Sequence, residues 1–489
     1  MMNKMQILKK YNGLPVQVKA TFWFLVCTFV QRAISVITTP IFTRIMNTAE
    51  YGEYTVFSSW KGIFSVFISL NLSLGVFVRG LVKYSDERKQ FASALQSLTL
   101  MLVAAWTVIY FCFKNYFTIF TGLAPMKMLL MLLNIWLSAV FGFWAAEQRV
   151  DYKYRSLVAV TILVSVIGQL LSIIFVINFD DKVIGRILGI VIVEFAFYIP
   201  LLIKQMVNGK TFYNGIFWKY ALAFNVPLIP HYLSQTVLNS SDRIMINNIS
   251  GAKYAGIYGL AYSIAQVMTI FNTSLAQTLE PWLYRKIKDN KITEIRDVAY
   301  PSFVLISIVN LLLIIFAPEL VGLFAPSEYY DAIWVIPPIA LSTFFSFSYY
   351  FFAVFEYYYE KTRQIAIASC IGAVLNIVLN YLFIPIFGYY AAGYTTLICF
   401  MAYAVFHYLF MRKLCIEKLE NKRPFEFRIY IYITIAFITS GLVMMLTYRN
   451  PGLRYSLMVI GVMVLLINYK RIISWIHVLL TIKNKDKHF

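Results

Sequence analysis

Two basic side chains, Arg32 and Lys61, lie inside long apolar segments of the chain. A charged group at the centre of a lipid bilayer costs at least about 2.5 kcal/mol on insertion scales, so it faces protein or a water-filled cavity. Both have polar neighbours at helical spacing, which are Thr21, Thr28, Ser35 and Thr39 for Arg32, and Tyr54, Ser58 and Ser65 for Lys61. Guanidinium and ammonium groups in a medium of low dielectric constant bind anions strongly. This spacing predicts a cationic, substrate-binding cavity for an anion; the alternative is that Lys61 extends to the membrane interface and Arg32 anchors backbone carbonyls.

A second polar group follows a pair of prolines. Pro227 and Pro230 remove helix hydrogen bonds and predict a broken span. Beyond the break, His231 and Gln235 fall on one helical face, and Gln266 lies on a polar face of the next span. We interpret these three residues as a polar wall that binds substrate. Hydrogen bonding between helices is the alternative, and a single histidine such as His231 is more typical of packing than of proton transfer.

The composition describes the surroundings of these residues. The chain of 489 residues is 60% hydrophobic and 13% charged, with a mean hydropathy of +0.69. Soluble domains carry roughly 25% charged residues, so most of this surface must face lipid. The net charge of +20 sits in short connectors between apolar runs, which indicates membrane topology and excludes a nucleic-acid partner. The five cysteines and four histidines are scattered, so no metal site is predicted.

The apolar runs predict an all-α polytopic membrane protein of about fourteen transmembrane helices. The first run is too long for a cleavable signal peptide, so we expect a retained first span. Of the 43 Lys and Arg residues, nine fall on the predicted outside segments and two within spans, which predicts that both termini are cytoplasmic. We place the spans at about 16–41, 53–78, 91–113, 123–146, 156–177, 184–203, 220–241, 255–281, 299–321, 333–355, 364–386, 391–411, 429–447 and 453–475.

A weak internal repeat suggests how the spans are grouped. Arg44-Ile45-Met46 follows span one and Arg243-Ile244-Met245 follows span seven, while Glu147 closes span four and Glu356 closes span ten. Two six-helix halves of the same orientation would place these features in register. We therefore predict an N-terminal lobe at 1–204, a cytoplasmic linker at 205–219, a second lobe at 220–412, and two additional helices with a cytoplasmic tail at 413–489.

Several short motifs resemble one family of membrane proteins. They are Pro227-Leu228-Ile229-Pro230, Ser241-Asp242-Arg243-Ile244-Met245, Ala255-Gly256-Ile257-Tyr258, Thr43-Arg44-Ile45 with Glu50-Tyr51-Gly52-Glu53-Tyr54, and the stretch from Asn376 and Asn380 to Thr396. With the length and layout of the chain, these motifs resemble the polysaccharide repeat-unit flippases of the Wzx type, for O-antigen or capsule, in the superfamily that also holds multidrug exporters. The resemblance assigns gating or structural roles to Arg44, Tyr51, Gly52, Asp242, Arg243, Gly256, Asn376 and Asn380.

The resemblance also implies a mechanism and partners. It implies two six-helix lobes around a central cavity that opens alternately to each side of the bacterial inner membrane. The implied cargo is an undecaprenyl-diphosphate-linked oligosaccharide, an anion that suits the basic cavity. Membrane lipids, a polysaccharide polymerase and a chain-length regulator are the other partners to expect.

Two other classes of protein remain open. A multidrug-type exporter should carry acidic residues within its spans, but the first half is basic there apart from Glu194, which we place near a span end. A membrane enzyme such as a polymerase or ligase should carry a long outer loop with catalytic residues, and every predicted outer loop is short. No nucleotide-binding or hydrolase motif occurs, so we predict no enzyme activity, no catalytic residues and no cofactor. Energy would then come from a gradient, with protons or sodium as the candidate ions.

Overall fold

The computed structural model describes Gly13 and residues 15–470. Within this part of the chain there are eighteen α-helices and short 3-10 segments, and no β-strand. Eleven of the described helical segments are long and apolar enough to cross a membrane. The prediction of an all-α polytopic membrane protein is therefore confirmed.

Residues 1–240 form the first of two compact units. In this unit α8 packs against α4, α6 and α7, and α1 packs along α7. The helices are α1 (Val16–Ile45), α2 (Thr48–Ile68), α3 (Gly75–Lys83), α4 (Arg88–Cys112), α5 (Lys114–Thr121), α6 (Pro125–Val150), α7 (Tyr154–Asn178), α8 (Lys182–Gly209), α9 (Gly215–Asn225) and the first half of α10 (Ile229–Ser250).

The described residues from Ser241 to Lys470 form the second unit. In the described part of this unit α14 packs against α11, α12 and α16, α15 lies along α16, and α17 packs against α12. Its helices after α10 are α11 (Ala252–Lys288), α12 (Arg296–Ile315), α13 (Ala317–Phe324), α14 (Ile336–Tyr358), α15 (Thr362–Phe387), α16 (Ala391–Lys418), α17 (Phe427–Leu446) and α18 (Pro451–Ile467).

The division between the units falls inside α10, between Ser240 and Ser241. The lobe and linker boundaries that we predict at 204 and 220 remain predictions. In the structure, α8 extends to Gly209 and α9 begins at Gly215, so the residues of the proposed linker are helical at both of its ends.

The start of α2 explains one of the sequence motifs. The side chain of Asn47 accepts a hydrogen bond from the Glu50 N–H at 2.9 Å, and the Glu50 carboxylate accepts one from the Asn47 N–H at 2.8 Å. This reciprocal capping box satisfies two backbone donors that a helix start leaves without partners. Glu50 also forms an ion pair with Lys182 at 3.5 Å, which joins α2 to the start of α8.

Three predicted spans have no counterpart among the eleven long apolar helices. Span seven is broken as Pro227 and Pro230 predict: α9 ends at Asn225, residues 226–228 form a 3-10 turn, and α10 follows. Span fourteen corresponds to α18, and its predicted end at 471–475 lies outside the described residues.

Span two is the third, and here a single span at 53–78 is wrong. Helix α2 ends at Ile68, Leu70 and Asn71 have positive φ angles of 49° and 50°, and α3 begins at Gly75. The amide of Asn225 donates a hydrogen bond to the Leu70 carbonyl at 2.8 Å. This bond satisfies an acceptor that the end of the helix exposes, and so it stabilises the break.

Candidate functional site

The first unit contains a cavity of about 290 Å³ between α1, α7 and α8. Helix α1 contributes Gln31, Arg32 and Ser35, and α7 contributes Gln169. Helix α8 contributes Glu194 and Tyr198. These six residues give the cavity one guanidinium, one carboxylate and four polar groups. The cavity can therefore hold an anion against Arg32 or a cation against Glu194.

Glu194 is the acidic group of this cavity. It lies in the middle of α8, which runs from Lys182 to Gly209, so our placement of Glu194 near a span end is wrong. The buried amide of Asn134 on α6 donates a hydrogen bond to its carboxylate at 2.5 Å. This hydrogen bond fixes the side chain of Glu194, which forms part of the cavity wall.

Lys61 on α2 belongs to the same charge group without lining the cavity. It is half-buried and lies within electrostatic range of Glu194. Arg32 is exposed into the space between the helices. Glu194 therefore shares the cavity with one cation, Arg32, and has a second cation, Lys61, within electrostatic range.

The threonines around Arg32 contribute less than their spacing suggests. The hydroxyls of Thr21, Thr28 and Thr39 donate hydrogen bonds to carbonyls of their own helix, at 2.9, 3.0 and 2.9 Å. Such bonds satisfy a polar group without a substrate. Of the residues predicted on this face of α1, Arg32 and Ser35 line the cavity.

Tyr51 and its neighbours surround a buried arginine on α8. The guanidinium carbon of Arg186 lies 3.8 Å from the ring centre of Phe42, 3.6 Å from that of Tyr54 and 5.3 Å from that of Tyr51. Arg186 is 8% exposed, so these cation–π contacts are largely desolvated. The Tyr51-Gly52 motif thus positions the ends of α1, α2 and α8 around one cation.

A cluster of charged side chains lies near the aromatic rings that surround Arg186. The buried Lys127 ammonium pairs with Glu53 at 2.5 Å and with Asp181 at 3.0 Å. Asp181 also caps α8 by accepting the Ile184 N–H at 2.9 Å. Burial by itself would raise the pKa of Asp181, but the Ile184 bond and Lys127 outweigh it and hold the pKa below its ordinary value of 3.8. The carboxylate therefore remains charged at neutral pH.

Asp242 is the centre of a buried cluster in the second unit. Its carboxylate accepts hydrogen bonds from Tyr258 at 2.6 Å, Asn380 at 2.6 Å and Thr396 at 2.7 Å. Asn380 also donates to the Asn376 side chain at 3.2 Å, and both asparagines are fully buried. A buried carboxylate with three donors is well satisfied. The cluster joins α10, α11, α15 and α16, which is a structural arrangement for Asp242, Asn376 and Asn380.

The other predicted site residues lie on separate elements. Arg243 lies over the ring of Tyr262 at 4.4 Å, and Gln266 hydrogen-bonds with the same Tyr262. His231 and Gln235 are half-buried in the first unit. Gly256 is buried in α11 beside Tyr258. Arg44 donates a hydrogen bond to the Pro40 carbonyl of its own helix at 2.8 Å.

Sequence reasoning missed several residues that complete these sites. Gln169, Tyr198 and Asn134 lie in apolar segments with ordinary composition, so nothing in the local pattern singles them out. Glu194 had a signal, because a carboxylate within a span is rare and functional. Arg186 carried the same signal for the opposite charge.

Two family models match the chain. The model described as "Polysaccharide biosynthesis protein" matches residues 17–287, more than half of the chain, and the MatE model matches residues 227–382. A protein of Haemophilus influenzae described as an uncharacterized membrane protein is 22% identical over 353 residues, which are 69% of this chain and 82% of that protein.

Solved structures share the fold. The lipid II flippase MurJ in an inward closed conformation has a TM-score of 0.66 and 15% identity, covering 90% of this chain and 96% of MurJ. An inward-facing multidrug resistance MATE family transporter of the MOP superfamily has a TM-score of 0.62 and 14% identity, covering 80% of this chain and 96% of the transporter. At these identities the similarity shows the fold alone, which a lipid II flippase and a multidrug resistance transporter share.

Proposed function

Because the chain belongs to the polysaccharide biosynthesis protein family, whose model matches residues 17–287, we propose that it is a flippase for lipid-linked oligosaccharide. The cargo would be an undecaprenyl-diphosphate-linked repeat unit of an O-antigen, capsule or related lipopolysaccharide. The protein would move it from the cytoplasmic to the outer face of the bacterial inner membrane by alternating access, with both termini in the cytoplasm. Coupling to a proton or sodium gradient would supply the energy.

One observation carries this proposal: Arg32 lines a polar cavity in the membrane-spanning part of the first unit. A diphosphate carries negative charge that a guanidinium binds through paired, charge-assisted hydrogen bonds. Lys61 adds a second positive charge near the same point, through its proximity to Glu194. The fold is also one that a lipid II flippase uses.

Glu194 compensates part of the positive charge of the cavity before cargo binds. Two uncompensated cations in a low-dielectric region would repel each other and be costly to bury. The carboxylate offsets part of this charge until cargo arrives, and the arriving diphosphate then takes over as the counter-ion. The net positive charge that remains favours an anion over a cation.

The same carboxylate favours a second candidate function. A multidrug-type exporter of cationic small molecules needs an acidic group in its cavity, and Glu194 is such a group, held by Asn134. A multidrug resistance MATE family transporter shares the fold, so the fold supports this second function as much as the first. On this second hypothesis, Arg32 would be the group that releases the cation by repulsion.

A paired assay separates the two functions. The purified protein in proteoliposomes receives undecaprenyl-diphosphate-linked oligosaccharide in one arm, with translocation read by a membrane-impermeant glycosidase. In the other arm it receives a fluorescent lipophilic cation, with export read by its release. We expect translocation of the glycan and none of the cation. Export of the cation without translocation of the glycan would replace the first function by the second.

Partners follow from the proposed role. A polysaccharide polymerase and a chain-length regulator would receive the repeat units at the outer face, and membrane lipids would surround the cargo's polyprenyl chain. Copurification of the polymerase with this protein from membranes, compared with an unrelated polytopic protein, tests the first of these contacts.

A further inference from the structure

Two titratable side chains face each other in the interior of the second unit. Glu356 lies near the end of α14, and His407 lies on α16. The His407 Nδ1 atom is 2.6 Å from Glu356 Oε1, and both side chains are 0% exposed. This distance is that of a strong hydrogen bond between an imidazole and a carboxyl group. Neither residue belongs to the cavity at Arg32 or to the Asp242 cluster.

Each partner keeps one polar atom without a hydrogen bond in the described part of the chain. These atoms are Glu356 Oε2 and His407 Nε2. Buried polar atoms are satisfied in the great majority of cases, so two such atoms on one bonded pair require a reason. A carboxyl group and an imidazole can each hold a proton, so the bonded pair as a whole can gain or lose one.

Aromatic rings enclose the imidazole. Its centre is 5.4 Å from the ring centre of Tyr349 in a stacked arrangement and 4.4 Å from that of Tyr403 in an edge arrangement. Stacked and edge-on rings hold the imidazole plane and exclude bulk water. The Tyr403 hydroxyl lies 3.0 Å from the Ser369 hydroxyl on α15, so this wall is fixed in turn.

A pocket of about 140 Å³ leads to the carboxyl side of the pair. Glu356 forms part of its wall together with Lys361, Gln364, Lys413 and Glu417. The pocket lies at the end of α14 and α16 that carries the basic residues of the predicted cytoplasmic face. Both side chains have no exposed surface, and Glu356 borders a space that is large enough for water.

The charge of the pair changes with one proton. With a neutral imidazole and an ionised carboxyl group its charge is −1, and with an imidazolium its charge is zero. In a low-dielectric interior a neutral pair costs less than an isolated charge. We propose that Glu356 and His407 form a proton-binding site, which takes up one proton from the pocket beside Glu356, holds it on the bonded carboxyl–imidazole pair and releases it during transport. This site would be where a proton gradient acts on the proposed flippase, and it rests on that function.

Other ionisable groups lie near the pair, at the pocket rim and on α14 and α11. Lys413 and Glu417 on α16 lie 3.9 Å apart at the pocket rim, so they compensate each other. On α14, Tyr357 lies within electrostatic range of Glu356, and Glu280 of α11 acts on the same tyrosine. The Glu280 carboxylate accepts a hydrogen bond from Tyr284 at 3.0 Å.

The remaining neighbours are neutral or distant. Tyr430 of α17 meets α14 at Ser348, at 2.8 Å, about two turns from Glu356. Phe303 of α12 contacts the rings of Phe347 and Phe351 of α14 edge-on. None of these groups adds a charge beside the imidazole, which leaves Glu356 as its counter-ion.

The first unit offers a natural comparison. There Glu147, near the end of α6, accepts a hydrogen bond from Gln205 of α8 at 2.8 Å, and Gln96 of α4 donates to Gln205 at 2.7 Å. Glu147 and Glu356 are thus each bonded to a side chain of a neighbouring helix, but the partner of Glu147 is an amide and the partner of Glu356 is a titratable imidazole. His407→Gln recreates in the second unit the pair that the first unit already uses.

Proton binding is measured directly by NMR of histidine-labelled protein in nanodiscs. The chain has four histidines, and His407→Gln identifies the signal of His407 by its loss. The signal is followed from about pH 5 to pH 8, and the proposed site requires that it report the uptake of one proton. Glu356→Gln should reduce its proton affinity at least about tenfold. Glu417→Gln, which removes a carboxylate from the pocket rim but leaves the pair, should change it about twofold or less.

The coupling role is measured in proteoliposomes with and without a pH gradient. Wild type should translocate lipid-linked oligosaccharide about tenfold faster with the gradient, and His407→Gln and Glu356→Gln should lose this acceleration while keeping the unfolding temperature of a folded protein. A His407 signal that keeps one protonation state over that pH range would overturn the site. An intact response to the gradient in His407→Gln would overturn its role in coupling. If wild type translocates no glycan under any gradient, the proposed flippase function fails, while the NMR titration still decides whether the site binds a proton.

Discussion

Arg32 is the basic residue that lines the cavity of the first unit, so it carries the anion-binding role. A structural arginine acts through its hydrogen bonds, and its loss lowers the amount of folded protein. A cargo-binding arginine acts through its positive field, and its loss spares folding but stops transport. The same side chain therefore makes different predictions under the two interpretations.

Substitutions of Arg32 separate these roles. Arg32→Lys keeps the charge without the bidentate geometry and should retain partial activity. Arg32→Gln and Arg32→Ala should reduce translocation roughly 10- to 100-fold, because they remove a charge-assisted contact. All three should reach the membrane at near-normal levels. Lys19→Gln, which removes a positive charge about 20 Å away on the same helix, is the matched control. Normal translocation by Arg32→Gln would remove the main support for the cationic cavity.

For Glu194 we predict the opposite effect on cargo binding. Glu194→Gln keeps a polar group for Asn134 but leaves Arg32 and Lys61 without their carboxylate. The variant should bind undecaprenyl diphosphate about tenfold more tightly and release it more slowly, as measured by ligand-induced fluorescence change and by turnover. Glu147→Gln, a carboxylate change outside the cavity, should leave the affinity as it is. Loss of lipophilic-cation export in Glu194→Gln would instead support the multidrug-type function.

The residues of the cavity differ in how far the sequence identifies them. Arg32 stands out because a charge within an apolar run is costly. Glu194 obeys the same rule, and it lies at the middle of the predicted span 184–203 as well as of α8, so our placement of it near a span end disagreed with our own span bounds. Gln31, Gln169 and Tyr198 join the site through packing of α1, α7 and α8, which no local pattern reports.

At the scale of the helices, α8 is held at its start by Asp181. This residue caps the helix and pairs with Lys127, and its pKa is held below 3.8. Its folded-state pKa is lower than the unfolded one, so its contribution to stability is complete above the ordinary value and is lost as the pH falls below it. Thermal stability at neutral pH should therefore include this contribution in full.

Two substitutions at Asp181 separate the cap from the charge. Asp181→Asn keeps an N-cap oxygen and loses the ion pair, while Asp181→Ala loses both and should cost about 1 kcal/mol more. The difference in Tm between wild type and Asp181→Asn should shrink as the pH falls from neutral to about pH 3. A difference that is constant with pH would mean that the Asp181 charge does not stabilise α8.

The helices also differ in how far they could be predicted. Pro227 and Pro230 mark the break in span seven, because each removes a backbone donor. The break after Ile68 has no such mark: it depends on Asn225, more than 150 residues later in the chain, which bonds to the Leu70 carbonyl. Local sequence patterns predict helices, whereas a break that is stabilised by a tertiary hydrogen bond can be predicted only when the fold is known.

At the scale of the whole molecule, composition and hydropathy were enough for the fold class. Eleven of the fourteen predicted spans correspond to long apolar helices of the described part of the chain. The buried pairs Asp242–Asn380 and Glu356–His407 could not be predicted, because each joins helices that are far apart in the chain. A repeat in sequence suggests that Glu147 and Glu356 are related positions, without giving their partners.

The orientation in the membrane is a prediction for the whole chain. Reporter fusions at Phe489 and after Pro326 should report opposite sides, with the C-terminus in the cytoplasm, because the Lys and Arg residues concentrate on one set of connectors. Alkaline phosphatase and green fluorescent protein fusions read the two sides independently. A C-terminus on the outer side would contradict the span count. It would also place the pocket at Glu356 on the outer face instead of the cytoplasmic face.

The most direct test of the central claim is translocation by the purified protein. Proteoliposomes that contain wild type, Arg32→Gln or Lys19→Gln receive undecaprenyl-diphosphate-linked oligosaccharide, and a membrane-impermeant glycosidase measures how much glycan has crossed. The proposed function predicts rapid crossing with wild type and Lys19→Gln, and crossing near the protein-free rate with Arg32→Gln. Crossing at the protein-free rate in all three, with an active and folded preparation, would contradict it.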